Sequence, residues 1–569
     1  MSDSKTWETQ VLAAIRGAAG AKATDELEAQ WSEHAALRAP VVTLFGSYDS
    51  GKSTLLKRLL ADAGVTVPDW LTIAARRDTF EVNEVEAIGC LFRDTPGIAS
   101  GNAEHERAAR EALTTTDIIL IVLPPQLITG DREAILAVVA GEIFRSGGIQ
   151  LREELAFALC KMDEGGYDPE DDPNAYDQYL KDKQRELIEI LERARVDADS
   201  EKIFGVAADP FQTVVNAKNP GRSAYDSFRN WDGLAALNTW LSSLPQSLKV
   251  LRPLARKRFL CAAAEAHRVA LARRIGDVDL GLQETKANEE RFALLRQQLD
   301  ALLKHARSAL DAMIEDELVT AARARLDDER AIGNFVEPRL EKAVARWRDD
   351  QNAELDALIA SADAEVQARS ESRGENKARR LFEEDADDRE RQPRPGKKIV
   401  NSLAEKAQRA LRNHHERLLG MKLDKARDEL RKLDEAKTFG TYLAAAKRRN
   451  AFRSVGEVER ARKIVTFHTI VGSVGPVVME LGTLLWEEKE RLALEKKRVE
   501  RRQKLRDMIR QAASEIGNNA WQDWEVRANE FQAWLSQRES AAHAMSEPLD
   551  EELRMLNVSK EDFARLLAE

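Results

Sequence analysis

Between residues 40 and 245 the apolar positions fall into short dense runs separated by longer stretches with one apolar face. Val41–Phe45, 80–85, 90–93, Ile118–Leu123, 156–160 and 202–207 read as strands. Helical spacing marks the segments between most of them, including 132–144 and 175–195. Strand–helix alternation of this kind predicts an α/β doubly wound domain with a mostly parallel sheet, whose ligand lies at the carboxyl ends of the strands. After about residue 246 the strand runs stop and helical periodicity continues to the end of the sequence. It is interrupted at 371–398, at Gly472-Ser473-Val474-Gly475-Pro476 and at Glu547-Pro548. No fixed-period repeat and no clean run of heptads appears, so the second half predicts an all-α bundle or stalk and not a free coiled coil.

Ahead of the first strand, residues 4–36 predict two short helices. Trp7, Val11, Leu12 and Ile15 share a face, and Leu27 and Trp31 follow. Late in the sequence, Trp521, Trp524, Phe531 and Trp534 recur at near-helical spacing. They read as bundle core near the strand-containing domain, in preference to a ligand cage.

Composition narrows the classes. The chain has 569 residues, too many for one core; charged residues make up 33% and aromatic residues 6%. That mixture suits long solvated helices. A net charge of −11 argues against a general nucleic-acid binder. The three cysteines, Cys90, Cys160 and Cys261, are scattered, which disfavours a disulfide framework or zinc site. Asp3, Lys5 and Glu8 interrupt any apolar leader, so cytoplasmic or peripheral-membrane residence is expected.

The sharpest chemical signal is Gly46-Ser47-Tyr48-Asp49-Ser50-Gly51-Lys52-Ser53, which matches G-x-x-x-x-G-K-[ST] between the first predicted strand and a helical run that begins near Thr54. Glycines let a nest of backbone N–H groups and a helix N-terminus face phosphate oxygens. Lys52 adds a point charge, and the Ser53 hydroxyl is placed to ligate Mg²⁺. A chance Gly-rich turn is the competing explanation, and the flanking elements disfavour it.

Three further signals share the strand-end register. Asp94-Thr95-Pro96-Gly97 closes the third strand: Asp94 can hold a Mg²⁺ water and the Gly97 N–H can sense a terminal phosphate. Cys160-Lys161-Met162-Asp163 follows the fifth strand and is similar to the guanine-reading pattern N-K-x-D. A carboxylate there accepts from two N–H groups of guanine, a pair that adenine lacks. Cys160 replaces the asparagine, which removes a hydrogen bond between this loop and the phosphate loop. Ala207 ends the sixth strand, where a backbone N–H could meet the base. Thr72 is the expected switch threonine and second hydroxyl ligand to Mg²⁺, in preference to Thr79. Ile98 stands where small GTPases keep a glutamine, so the attacking water needs another positioning group. Asp49 stands at the position that dimer-activated GTPases use for a charge-compensating cation, and that resemblance implies that it holds a monovalent cation.

Outside the α/β region the most apolar stretch is 464–486. At about 23 residues it is long enough to span a bilayer. Its central Gly/Pro break, together with His468 and Glu480, favours a hairpin tip instead, with Ile470, Val471, Val474, Val477 and Val478 dipping into one leaflet. Residues 394–463 hold 20 Lys or Arg against 9 Asp or Glu, a basic flank suited to anionic lipid. A hairpin buried inside the bundle is the alternative.

The order of these parts, together with the motifs Gly46–Thr54, Asp94–Gly97 and Lys161–Asp163, resembles the bacterial dynamin-like proteins, members of the dynamin superfamily of large GTPases. The motifs cover only the GTPase domain; the order of parts covers the whole chain. The resemblance implies GTP/GDP and Mg²⁺ as ligands and self-association through the GTPase domain. It also implies a stalk moving a lipid-binding tip, and a second dynamin-like protein as a partner. The expected division is 1–38 (N-terminal helices of a neck bundle), 39–245 (GTPase domain), 246–392 (neck and stalk), 393–510 (stalk with the tip at 464–486) and 511–569 (returning neck helix). The expected function is GTP hydrolysis coupled to membrane remodelling, with vesicle release as one outcome. Two alternatives compete: a nucleotide-gated scaffold with little turnover, and an ATPase with long helices, the latter disfavoured by Lys161 and Asp163.

Overall fold

The computed structural model describes residues 2–47, 49–73, 83–95, 103–127, 132–145, 148–214, 217, 219–324, 329–370, 379–382, 402–435, 438–450 and 495–568. Two compact units emerge. The first comprises residues 1–275, 387–418 and 554–569, the second residues 276–386 and 419–553.

In the first unit, six strands form one sheet in the order β2-β3-β1-β4-β5-β6: β1 Val41–Phe45, β2 Asn83–Ala87, β3 Cys90–Asp94, β4 Ile118–Leu123, β5 Leu155–Leu159 and β6 Ile203–Gly205. Every pairing is parallel except β2 with β3. Of the expected second strand at 80–85, residues 83–85 belong to β2, which continues to Ala87, and 80–82 lie outside the described residues. Its alternation of half-buried and exposed residues is that of an edge, whereas β1, β4 and β5 are buried throughout.

Side-chain alternation divides the core into two layers. Val42, Leu44, Leu120, Val122 and Ala158 face one way, against Leu55, Leu56 and Leu59 of α3 (Lys52–Ala63). Phe45, Ile119, Ile121, Phe157 and Leu159 face the other, against Ile135 and Val138 of α6 (Arg132–Val139) and Leu187 and Leu191 of α7 (Pro173–Arg193). Two shorter helices, α4 (Asp69–Ile73) and α5 (Ala103–Ala112), complete this part. The expected P-loop GTPase architecture, a doubly wound and mostly parallel sheet followed by a long helical region, is what the chain forms.

The N-terminal pair is α1 (Ser2–Ala19) and α2 (Ala21–Ala35), hinged at Gly20 with φ +83°. Val11 and Ile15 are fully buried, as their stripe predicts. The stripe packs beside the far end of the chain, where the Trp7 indole N–H donates to the Leu566 carbonyl at 3.3 Å.

The long helices are α8 (Leu234–Arg323), α9 (Glu329–Ser370), α10 (Leu403–Leu418), α11 (Gly420–Glu435), α12 (Phe439–Asn450) and α13 (Glu495–Ala568). Helix α8 starts at Leu234 and continues through residues 245 and 246. In the second unit the core joins Leu310, Ile314, Trp347, Phe439, Trp524, Phe531 and Trp534. The late aromatic stripe is therefore core, as expected. It belongs to the second unit, whereas the sheet belongs to the first. Its partners are Trp347, Phe439 and Phe292, with ring centroids 5.2 to 6.5 Å apart.

Residues 451–494, which include Ile470, Val471, Val474, Val477 and Val478, lie outside the described residues. Among the described residues no helix is long and apolar enough to cross a membrane.

Candidate functional site

Parallel register brings the carboxyl ends of the strands to one edge of the sheet. Leu44 pairs with Asp94, Phe45 with Ile121, Leu123 with Leu159, and Leu159 with Gly205. Strand β1 lies between β3 and β4, so the loop after it leaves the sheet where the strand order reverses. That position is a binding crevice in open α/β sheets.

The phosphate loop runs from Gly46 to Ser53 into α3. A Cβ at Gly46 would sit 2.3 Å from the Val122 carbonyl oxygen, so only glycine passes this point beside β4. Gly51 adopts φ +98°, and a Cβ there would lie 3.1 Å from that of Cys160. The Lys52 ammonium is almost wholly buried and donates to the carbonyls of Gly46 at 2.9 Å and Ser47 at 2.8 Å. Burial pushes Lys52 down to about 8, against the charges of Asp94 and Asp49. The Ser50 hydroxyl is buried with no hydrogen-bond partner among the described residues.

Ser53 Oγ lies 3.3 Å from Asp94 Oδ2. Burial raises the Asp94 carboxyl; the Lys52 charge, the Ser53 hydroxyl and the Thr95 N–H oppose that rise. The other oxygen, Asp94 Oδ1, is buried with no partner among the described residues. A hydroxyl beside a carboxylate with an unused oxygen fits a Mg²⁺ that keeps most of its ligands as water and phosphate. No group of three or more His, Cys, Asp or Glu that could hold a metal occurs among the described residues. A Mg²⁺ site with one protein carboxylate needs none. Thr95 is buried, and its hydroxyl donates to the Leu44 carbonyl at 2.7 Å, which ties β3 to β1 below the site.

The loop expected to read a base leaves β5. Cys160 is buried and its N–H donates to the Leu123 carbonyl at 2.8 Å. Burial pushes its thiol up to about 12, so it stays neutral. Lys161 adopts φ +59° and sends its ammonium to Asp49 Oδ1 at 3.1 Å. The carboxylate expected to face a monovalent cation therefore faces a lysine. Asp163 Oδ2 accepts the Phe211 N–H at 2.8 Å, which fixes the orientation of its carboxyl group. The Met162 N–H donates to the Val206 carbonyl at 3.3 Å, so the loops after β5 and β6 are joined.

Two site residues need correction or restriction. Ala207 is fully buried and its N–H donates to the Asp232 carbonyl at 3.0 Å. Its proton is used inside the domain and is not presented to a base. Thr72 lies in α4, and nothing further is described of its side chain. Tyr48, Thr79, Gly97 and Ile98 lie outside the described residues.

The sequence reading missed Asp232, Arg58 and Phe211. Asp232 accepts the Leu234 N–H at 3.0 Å with Oδ1, which caps α8, and pairs with Arg58 of α3 through Oδ2. An Asp-Gly pair just before a helical run is a legible capping signal. Phe211 is half exposed and adopts φ +53°, a conformation uncommon for a bulky residue. It touches Trp231 and Phe228 at centroid distances of 5.8 and 6.4 Å.

Comparison with known proteins agrees with this site. Residues 41–143 match the family model of the 50S ribosome-binding GTPases. Translation initiation factor IF-2 of Caulobacter vibrioides is 31% identical over 206 residues, 34% of this chain and 18% of that protein. IF-2 of a Synechococcus strain is 28% identical over 218 residues, 36% of this chain and 19% of that protein. The chain thus spans about a fifth of the length of the curated relatives it matches. Among solved structures it is similar to the LeoA bacterial dynamin GTPase from ETEC, at 15% identity, with 100% of this chain and 98% of that one covered and a TM-score of 0.28. It is also similar to an oligomerised bacterial dynamin pair described as a mechanism for the long-range sensing and tethering of membranes. That likeness covers 93% of this chain and 91% of the other, at 13% identity and a TM-score of 0.34.

Proposed function

We propose that this chain is a dynamin-like GTPase that binds and hydrolyses GTP and couples the cycle to binding and reshaping a membrane. One observation carries the nucleotide part. Lys52, the Ser53–Asp94 pair and the Lys161–Asp163 loop converge on one edge of the sheet, beside the reversal of strand order. Lys52 and the N–H groups around Gly51 would bind the phosphates, Ser53 and Asp94 would hold Mg²⁺, and the Asp163 carboxylate would select guanine. A bound Mg²⁺ would supply charge neutralisation at the phosphates. Thr72 and Gly97 would complete the switch, and the loop Gly46-Ser47-Tyr48-Asp49-Ser50 would wrap the phosphates.

The membrane part rests on the sequence: the apolar run 464–486 and its basic flanks. On this reading residues 1–38 and 511–569 belong to a neck, 39–245 to the GTPase domain, 246–392 to neck and stalk, and 393–510 to a stalk with the lipid-binding tip. With Ile98 standing where small GTPases keep a glutamine, hydrolysis by a single copy is expected to be weak and to rise when a second copy, a dynamin-like partner or lipid brings GTPase domains together.

GTP turnover with and without anionic liposomes tests the proposal, with co-sedimentation of wild type and Val477→Asp. Stimulated turnover, and binding lost in Val477→Asp, support it. GTP binding with neither turnover nor lipid association leaves the scaffold reading, and binding unchanged by Val477→Asp removes the tip.

A further inference from the structure

Two residues in the left-handed region of backbone conformation face each other across the nucleotide edge. Asp49 in the phosphate loop and Lys161 after β5 both adopt φ +59°. They are 112 positions apart in sequence, and their side chains meet at 3.1 Å. Asp tolerates that conformation better than most residues; for Lys it is strained. Such a geometry persists only where the surroundings hold it. Here it aims the lysine away from the end of β5 and onto the phosphate loop.

Beneath this pair the same two loops touch through Gly51 and Cys160. The neighbouring Cys160 side chain is packed so closely that a Cβ at Gly51 would lie 3.1 Å from its Cβ and 3.7 Å from its sulfur. The thiol is neutral and offers only a weak hydrogen bond. An amide at position 160 could donate and accept across this contact, whereas cysteine contributes packing alone. The polar connection between the loops is therefore displaced outward, by two residues in the phosphate loop and by one after β5, to Asp49 and Lys161.

We infer that the Asp49–Lys161 ion pair is the clamp that holds the base-reading loop to the phosphate loop. It takes the structural place of the amide missing at position 160 and supplies internally the positive charge that Asp49 would otherwise draw from a monovalent cation. Asp49 and Lys161 act as positioning residues: closing the pair encloses a nucleotide between the two loops and slows its escape, while base choice stays with Asp163. The Asp49 side chain is 77% exposed and that of Lys161 29% exposed, so the pair lies at the rim, where opening is easy. A modest effect on residence time follows, rather than collapse of the domain.

The inference rests on the guanine-nucleotide reading of this site, and the test separates the two. Dissociation of a fluorescent GDP from the full-length protein is followed by stopped flow, in KCl, NaCl and choline chloride. Four proteins are compared: wild type, Asp49→Asn, Cys160→Asn, and the double variant. Asp49→Asn is expected to speed GDP release about two- to fivefold, the range for an exposed ion pair. It should leave the preference for GDP over ADP unchanged. Cys160→Asn in the Asp49→Asn background is expected to restore slow release, and the wild-type rate should be the same in all three salts. Release unchanged by Asp49→Asn overturns the clamp. So does a wild-type rate that slows specifically in KCl or NaCl and loses that dependence in Asp49→Asn, since Asp49 then holds a cation. Failure of Cys160→Asn to rescue, with that single variant releasing GDP at the wild-type rate, overturns the claim that the pair replaces the amide. If wild type prefers ADP, the guanine reading falls, and the clamp is judged by the same measurements on ADP. If it binds neither nucleotide, both readings fall.

Discussion

Arg58, on the helix that follows the phosphate loop, is ion-paired with Asp232, two residues before α8, and both side chains are shut off from water. Asp232 is used three times: Oδ2 for Arg58, Oδ1 for the Leu234 N–H, and its carbonyl for the Ala207 N–H. Helix α3, the loop after β6 and the start of α8 thus meet at one residue. Arg58 is also stacked on Tyr225 at 4.0 Å and bonded to Asp62, which in turn holds Arg229 and Asn238. Asp232→Ala leaves a buried guanidinium short of one partner and removes the cap. The expected loss is about 3–5 kcal/mol in the unit that holds the sheet, read as a lower first transition in thermal unfolding. Arg58→Met/Asp232→Asn removes the charges together, keeps a capping side chain, and is expected to recover most of that loss.

Lys52→Ala is expected to abolish binding of fluorescent GDP while leaving the far-ultraviolet helical signal intact. Among the described residues the buried ammonium is bonded to the Gly46 and Ser47 carbonyls at the loop itself, so its removal disturbs that loop and not the sheet beneath. GDP binding that persists at wild-type affinity would remove Lys52 from the site.

What the sequence made legible follows from which interactions are local. Strands buried on both faces write themselves as apolar runs, and Val41–Phe45 and Ile118–Leu123 match their structural bounds. The edge strand β2, with Glu84 and Glu86 facing outward, leaves a fainter run, and its predicted end was two residues early. The Gly46–Ser53 loop and Asp94 stand at the strand ends that the sequence assigns them, because that placement is set by neighbours in sequence. Ala207 was misassigned because its N–H is claimed by Asp232, a partner far away in sequence. The Arg58–Asp232 and Lys161–Asp49 pairs were invisible for the same reason: a charged residue in a helix or loop reads as solvated until the fold brings its counter-ion.

Trp534 is 1% exposed and sits among Phe531, Phe439 and Phe292, with the Arg538 guanidinium 4.8 Å from its ring centre. Trp534→Ala is expected to cost about 3–5 kcal/mol in the second unit. Because these partners all belong to the second unit, the loss should show as faster hydrogen exchange around residues 524–538, with GDP affinity retained. Equal loss of GDP affinity would mean that the two units do not unfold separately.

His34 and Asp117 give a stability that depends on pH with a definite sign. His34 Nε2 lies 3.3 Å from Asp117 Oδ1, and its Nδ1 is buried with no partner among the described residues. A neutral ring with the proton on Nε2 satisfies that geometry; a second proton on Nδ1 would be stranded. Burial accordingly lowers the His34 pKa, more than the hydrogen bond and charge of Asp117 raise it. Burial works against ionised Asp117 as well. The bonds from His34 and the Val41 N–H, with the charges of His34 and Arg252, nonetheless hold its carboxyl below the usual range. The unfolded chain takes up the His34 proton first as pH falls through about 6.5, so stability is lost below that point. The Asp117 contribution is present above its unfolded value near 4 and is lost only as pH falls further, through the depressed folded value. Of the charged groups around this pair, Arg252 and Arg93 both oppose protonation of His34, which strengthens the trend. Glu154, whose carboxyl burial raises, changes stability in the opposite sense, so the comparison must be between variants. His34→Gln keeps a donor to Asp117 and cannot titrate. Its melting temperature is expected to fall less than that of wild type between pH 7 and pH 5.5, and parallel curves for the two proteins would show that His34 does not titrate on unfolding.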